Sequence, residues 1–406
     1  MPPGFFAKNN VQPNVVRTVA ACGACGLHLG CNSPRMPVTG DGQHGVLIVA
    51  EAPGETEDEE GVQLVGKAGK FLRRKISQIG YDLDRDCWKT NAIICHPKKN
   101  RTPTKAEIDY CRPNLLNTMR ALKPRVIILL GGAAVEAVVG HLRKSGVGSI
   151  GTWVGWQIPC QKPNVWICPT WHPSYLLREE DDVLELWFER HLESAFDIVG
   201  RPWPGPQNWE KDIQILDSDA AAAKLMEIAC YQTGAVAFDY ETTTLKPDTP
   251  ESEIVTCSVA WGRTEPEIVI AYPWHGKAIG ATQELLRSPL PKIASNMKFE
   301  DRWTRMAFGH RVRNWVHDTM LFAHLMDNRP GITGLKFQAF VHLGFPDYDG
   351  HIKPYLASGG TRSKNRVLEL DRQELLKYNG LDALLEFRLA CRQLQIQGYD
   401  YPWRTK

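Results

Sequence analysis

The stretch DIVGRPWPGPQNWEKD (197–212) sets three prolines and two glycines within a few residues. Proline lacks a backbone donor and glycine gives up entropy when ordered, so no helix or strand is expected there. Residues 198–212 therefore read as a linker, and the 406-residue chain must close two cores rather than one. The expected domains are 15–197 and 213–398, with tails at 1–14 and 399–406. Lys and Arg number 48 against 46 acids, so any nucleic-acid role must rest on local patches. The opening MPPGFFAKNN lacks the layout of a signal peptide. The run VIILLGGAAVEAVV is too short to span a bilayer and contains Glu136. A cytoplasmic protein without a membrane partner is the expectation. Eleven unevenly spaced cysteines do not make a secreted disulfide scaffold.

The first half alternates apolar runs, GVLIVA (45–50), WKTNAIIC (88–95), RVIILL (125–130) and VWICPT (165–170), with helical stretches. Those helices fit GKAGKFLRRKISQIG, TKAEIDYCRPNLLNTMRAL and AAVEAVVGHLRK. This is an α/β pattern: a parallel sheet with helices on both faces. Such sheets bind ligands at the carboxyl ends of their strands, here Glu51, Asn91, Gly131–Gly132 and His172. EAPGETEDEEG (51–61) is acidic, so it repels phosphate rather than cradling it; it reads as a loop, either functional or simply solvated. The second half opens with AVAFDYET, IVTCSVAWG and EIVIAYP, followed by helices such as HDTMLFAHLMD and DRQELLKYNGLDALLEFRLACRQL. A mixed sheet with helices packed on it is expected.

CGAC pairs Cys22 with Cys25, and Cys95 and Cys111 lie far downstream. Four thiolates from two segments suit a zinc site or an iron–sulfur cluster, and spacing alone does not separate them. Cys31 is an alternative ligand, and CGAC as a mere surface turn is the plainer reading. Cys160, Cys168, Cys230, Cys257 and Cys391 read as core residues.

CGAC, EAPGETED, LVGKAGKFL (64–72), TNAIICHPKKNRTP (90–103) and TWHPSYLLR (170–178), in that order, resemble the family 4 uracil-DNA glycosylases. The resemblance covers about residues 15–195 and implies a [4Fe–4S] cluster on Cys22, Cys25, Cys95 and Cys111. The chemistry of uracil excision suits the same residues. The base must leave the stack to be read. The Asn91 amide suits N3–H and O4 of uracil, which cytosine does not match. His172 is placed to donate to O2 of the departing base, and Glu51 to stabilise the sugar cation and position water. Leu177 and Arg178 resemble the segment that fills the gap in the stack. Lys98, Lys99 and Arg101 would contact phosphates. The family has phenylalanine where this chain has Leu64, at the position that stacks on uracil, and its motif start reads here Ala50-Glu51-Ala52-Pro53-Gly54. Leu64 keeps a second reading open, in which the first domain is a DNA-binding scaffold without turnover.

In FDYETTTL (238–245), Asp239 and Glu241 stand two apart on a strand and face one side. Paired like charges destabilise a strand unless a cation sits between them. FDYET, NMKFED (296–301) and YNGLDALLEF (378–387) resemble the motifs of DEDD 3′–5′ exonucleases, in the version found in family A DNA polymerases and their phage relatives. The resemblance covers about 213–398 and implies an RNase H-like fold. Tyr378 and Asp382, four apart, match the tyrosine subclass. Hydrolysis with two divalent ions, Mg²⁺ or Mn²⁺, calls for several carboxylates around ions about 3.5–4 Å apart. Asp239, Glu241, Glu300 and Asp382 are the expected ligands, with Tyr378 orienting water. Glu300 stands where the family has aspartate, and Asp301 is the fallback; Asp318 buttresses the fold. The basic loop GGTRSKNR (359–366) is a candidate guide for the DNA strand.

The expected whole is a DNA repair and replication enzyme that excises uracil and hydrolyses DNA from 3′ ends. No polymerase segment follows the third motif, so a separately encoded family A polymerase is the expected partner, and phage the expected source.

Overall fold

The computed structural model describes residues 22–403 apart from 144–145, 162–163, 202–204, 206, 361 and 402. The expected tail 1–14 and part of 399–406 lie outside the described residues. The chain forms two compact units that divide between Gly205 and Pro206.

In the first unit, strands β1 (Val46–Ala50), β2 (Cys87–Asn91), β3 (Val126–Leu130), β4 (Ile158–Cys160) and β5 (Val165–Thr170) form one sheet ordered β2-β1-β3-β5-β4. Pairings among β2, β1, β3 and β5 are parallel, and β4 adds an antiparallel edge. β1, β3 and β5 are buried along their whole length. This is why they read as unbroken apolar runs rather than alternating ones. Helices α1 (Glu55–Glu60), α2 (Lys67–Gln78), α3 (Lys105–Leu122), α4 (Gly132–Leu142), α5 (Pro173–Glu179) and α6 (Asp182–Asp197) complete the unit. Thr104 and Glu107 start α3 with a reciprocal capping box, worth about 1 kcal/mol.

Four local expectations are corrected. The acidic stretch is not a solvated loop throughout: Glu51–Gly54 remain a loop that lines a cavity, and Glu55–Glu60 form a helix. Glu57 and Asp58 of α1 are buried because they accept backbone N–H groups: Val65 and Gly66 on Glu57, Asn32 and Ser33 on Asp58. The strand expected over 88–95 ends at Asn91. The residues read as a linker carry core side chains: Ile198 and Val199 pack into the first unit, and Trp209 into the second. Cys230 is exposed, not core.

The second unit holds β6 (Ile213–Ile215), β7 (Ala235–Thr242), β8 (Ile254–Gly262), β9 (Pro266–Pro273), β10 (Lys292–Ala294) and β11 (Trp315–Asp318), ordered β11-β10-β7-β8-β9-β6. β7, β8 and β9 form an antiparallel meander, whereas β10, β11 and β6 join in parallel. The sheet is therefore mixed. Its helices are α7 (Ser218–Ala229), α8 (Lys277–Arg287), α9 (Met297–Phe308), α10 (Thr319–Met326), α11 (Leu335–Leu343), α12 (Lys353–Leu356) and α13 (Arg372–Ile396). The 25-residue α13 lies against the sheet and is buried along most of its length. Gly380 lets it come close: a Cβ there would lie 2.5 Å from a methyl carbon of Ile213. No described helix is long and apolar enough to cross a membrane.

Candidate active sites

In the first unit, the carboxyl ends of β1, β2 and β5 bring Glu51, Asn91 and His172 to one cavity of about 520 Å³. Leu64, Lys67, Arg101, Ser174 and Arg178 also line it. Gly131 (φ 86°) makes room for the histidine, since a Cβ there would lie 2.9 Å from that of His172. Burial raises the Glu51 carboxyl above its ordinary value, and the Arg178 guanidinium partly offsets this. Burial pushes His172 down to about 4, and Arg178 adds to the shift. The ring is therefore neutral at pH 7. Its Nδ1 accepts the Ser174 N–H at 3.2 Å. A nitrogen that accepts an amide proton carries none, so Nε2 bears the hydrogen and is the donor.

Asn91 is buried; its Nδ2 donates to Gln63 Oε1, and its Oδ1 has no partner. Leu64 is 5% exposed and holds φ 55°, a strain of about 1–3 kcal/mol for a non-glycine residue. Gly69 lies under it, where a Cβ would come 1.9 Å from the Leu64 carbonyl oxygen. Glu57 holds the turn by accepting the Val65 and Gly66 amides at 3.0 and 2.7 Å. Leu177 and Arg178 are exposed, and Arg178 reaches Ser174 Oγ at 3.4 Å. Lys98 and Lys99 are exposed as well. Arg101 is engaged by Glu107 through two bonds of 2.9 and 2.6 Å rather than standing free for a phosphate.

Cys22, Cys25, Cys95 and Cys111 line one small cavity with Ile93, Ile94 and Tyr110. Cys31 is not among its lining residues, and its thiol donates to the Leu27 carbonyl at 3.2 Å. Burial pushes the Cys95 thiol up to about 12 and Cys111 up to about 11. Backbone amides work the other way: Arg35 N–H points to Cys95 Sγ at 3.3 Å and Ile94 N–H to Cys111 Sγ at 3.4 Å. Such donors favour thiolate, so the set fits a cationic metal centre that would hold the sulfurs deprotonated.

In the second unit, β7 presents Asp239 and Glu241, and α13 presents Asp382 one turn after Tyr378. Carboxylate oxygens of Asp239, Glu241 and Asp382 all lie within 4.8 Å of one another. Burial raises Asp239 and Glu241 well above the ordinary carboxylate range; the Asp382 charge adds to the first, and those of Asp239 and Asp382 to the second. Asn379 donates to Asp239 Oδ2 at 2.6 Å. Lys336 Nζ donates to Asp382 Oδ2 at 2.6 Å, and Tyr348 OH to Asp382 Oδ1. The same ammonium lies 4.8 Å from the Tyr378 ring centroid. Lys336, Tyr348 and Asn379 escape a reading by motif, although Lys336 sits in GLKFQAF and Asn379 directly follows Tyr378.

Glu300, on the first turn of α9, is 1% exposed and its Oε2 has no partner. It lies outside the close trio, although the Asp239 charge, after burial, raises it further. Asp301 instead accepts the Val312 N–H at 3.1 Å, a role in the fold. Glu386, one turn beyond Asp382, accepts the Ser295 N–H at 3.2 Å and leaves Oε2 without a partner. Spacing from Asp382 is the only sequence signal for it. Asp318 accepts four backbone amides, from Asn296, Met297, Met320 and Leu321. In the basic loop, Arg362 and Lys364 pair with Asp248 and Glu251, so those charges are already answered within the unit; Thr361 lies outside the described residues.

Residues 37–196 match the family model described as the uracil DNA glycosylase superfamily, and residues 213–392 match the model described as 3′-5′ exonuclease. The type-4 uracil-DNA glycosylase of Pyrobaculum aerophilum is 36% identical over 160 residues, 39% of this chain and 80% of that protein. The type-4 enzyme of Thermotoga maritima is 32% identical over 197 residues, 48% of this chain and 98% of that protein. A DNA polymerase of Bacillus phage SP01 is 24% identical over 313 residues, 70% of this chain and 33% of the polymerase. Among solved structures, Escherichia coli RNase D aligns with a TM-score of 0.35 and 14% identity over 45% of this chain and 44% of that one.

Proposed function

From a chain that belongs to the type-4 uracil-DNA glycosylases through its first unit and carries a 3′-5′ exonuclease domain in its second, we propose two linked activities on DNA: excision of uracil, and metal-dependent hydrolysis from 3′ ends. One observation carries the glycosylase reading: an orphaned buried acceptor on Asn91, a neutral donor on His172 and a carboxylate on Glu51 line a single cavity. Asn91 Oδ1 would accept uracil N3–H, and His172 Nε2 would donate to O2 as charge grows on the departing base. Glu51 would face the sugar cation and orient water. Leu177 and Arg178 would enter the gap left by the flipped nucleotide, with Lys98 and Lys99 on the phosphates.

The convergence of Asp239, Glu241 and Asp382 supports the exonuclease reading. These three hard-oxygen residues would hold divalent ions, Mg²⁺ or Mn²⁺, with Glu300 lending charge from α9. Bound ions supply a hydroxide at neutral pH and neutralise the leaving oxygen. Tyr378 would orient the attacking water. Cys22, Cys25, Cys95 and Cys111 would hold a [4Fe–4S] cluster. A single zinc ion draws its sulfurs to about 3.8 Å apart, whereas no three described cysteine sulfurs lie within 4.8 Å of one another. The likeness to a phage DNA polymerase across 70% of this chain supports a phage source and a polymerase as working partner.

The test is a 5′-labelled strand with one uracil, incubated in EDTA and then treated with alkali. A single break at the uracil, followed by metal-dependent shortening from the 3′ end on adding Mg²⁺, is the expected result. An intact strand in EDTA removes the glycosylase activity and leaves a DNA-binding scaffold. No shortening with Mg²⁺ removes the exonuclease.

A further inference from the structure

We propose that Gln63 is the positioning residue that makes the first site read uracil rather than cytosine, an inference that rests on the glycosylase reading above. Gln63 is fully buried, directly before the strained Leu64. Its Nε2 donates to the Pro37 carbonyl at 3.2 Å, and its Oε1 accepts from Asn91 Nδ2. A carbonyl can only accept, so Pro37 fixes which end of the Gln63 amide faces it. The Gln63 oxygen then faces Asn91, which must answer with its nitrogen. This leaves Asn91 Oδ1, buried and without a partner, as the acceptor that remains at the cavity it lines.

The consequence is chemical. Uracil presents N3–H, a donor, to that oxygen, and the second hydrogen of Nδ2 remains for O4. Cytosine presents an unprotonated N3, so two acceptors would meet. An Asn amide free to turn over would offer Nδ2 to N3 of cytosine instead, and the distinction would be lost. A carbonyl more than fifty residues upstream of Asn91 in the chain thus sets the polarity of base recognition through one intervening amide.

The experiment compares the full chain with Gln63→Met, nearly isosteric but without polar atoms, and Gln63→Ala, whose vacated volume admits water to the Pro37 carbonyl should the first variant fail to fold. Melting temperature and bound iron report folding. Single-turnover uracil excision in EDTA is measured together with inhibition by free uracil and by free cytosine. The expected result is a fall of about 10- to 100-fold in uracil excision, the weight of one buried hydrogen bond, and a ratio of uracil to cytosine inhibition reduced at least about tenfold. A folded variant that keeps the parental inhibition ratio overturns the proposal even if excision slows, because packing damage alone does not change which base is preferred. A parent protein that neither excises uracil nor is bound by it overturns the glycosylase reading, and this proposal with it.

Discussion

The two sites solve the same problem, charge held inside protein, in opposite ways. In the first unit His172 is wired to the Ser174 amide, Asn91 to Gln63 and Glu57 to the Leu64 turn, which leaves Asn91 Oδ1 as a fixed acceptor without a partner. That site is complete as it stands. In the second unit Asp239, Glu241 and Asp382 crowd together, and Glu300 and Glu386 add buried oxygens with no partner. Lys336 answers only part of that charge. A preorganised hydrogen-bond network needs no cofactor to be ready, whereas a carboxylate cluster is a site only once cations arrive.

The contrast breaks most visibly if one activity can be removed without the other. Asp239→Ala should lower 3′–5′ hydrolysis by at least about a thousandfold and leave uracil excision in EDTA unchanged; gel assays of both activities on one preparation check this. Next in size, His172→Ala should slow excision about a hundred- to a thousandfold and spare the exonuclease. Because His172 is pushed down to about 4, the pH profile of excision should show no break near 6.5. Glu51 is raised by burial and must be ionised, so the rate should fall tenfold per unit below its raised pKa, and Glu51→Gln should flatten that limb.

The metal-free second unit should respond to its own charges. Lys336→Met leaves Asp382 with only the Tyr348 hydroxyl for a partner and should destabilise the unit in EDTA by about 2–3 kcal/mol, with Mn²⁺ restoring the melting temperature. Glu300→Gln should do the reverse, raising melting in EDTA by a few degrees. The sign follows from the raised carboxyl: its folded form holds the proton more tightly, so its stability is present in acid and lost as pH rises through the raised pKa. The gain from Glu300→Gln should therefore appear at pH 8 and vanish at pH 4. The smallest effect is Leu64→Phe, a few-fold gain in excision from stacking on the base, since the strained turn and Gly69 beneath it stay as they are.

The same contrast sets what the sequence discloses. Strand ends are legible where a fully buried parallel strand is an apolar run, so Glu51 and His172 stand just past the ends of β1 and β5; Asn91 is less so, because β2 ends in Lys89, Thr90 and Asn91 and the apolar run continues past it to Cys95. Asp239 and Glu241 are legible because their spacing matches the period of a strand. What escapes are residues whose importance lies in a partner distant along the chain. Gln63 looks like any polar letter in a loop, and only the fold brings Pro37 and Asn91 to its two ends. Glu57 and Asp58 look solvated until backbone amides are seen facing them. Lys336 and Tyr348 reach Asp382 across 46 and 34 residues, a pairing that no local pattern encodes.

Gly380 lies between Tyr378 and Asp382 on α13, pressed against Ile213 of the edge strand β6. The missing side chain acts as a shim of zero thickness: it sets how far the helix stands off the sheet, and so how far Asp382 stands from the two acids of β7. One methyl there would meet Ile213 of β6 and Ala271 of β9, and any shift of the helix that it forces would be carried to Tyr378 and Asp382, two residues away on either side. The standoff between helix and sheet is thus a manufacturing tolerance held by an absence, at a position that touches none of the three clustered carboxylates.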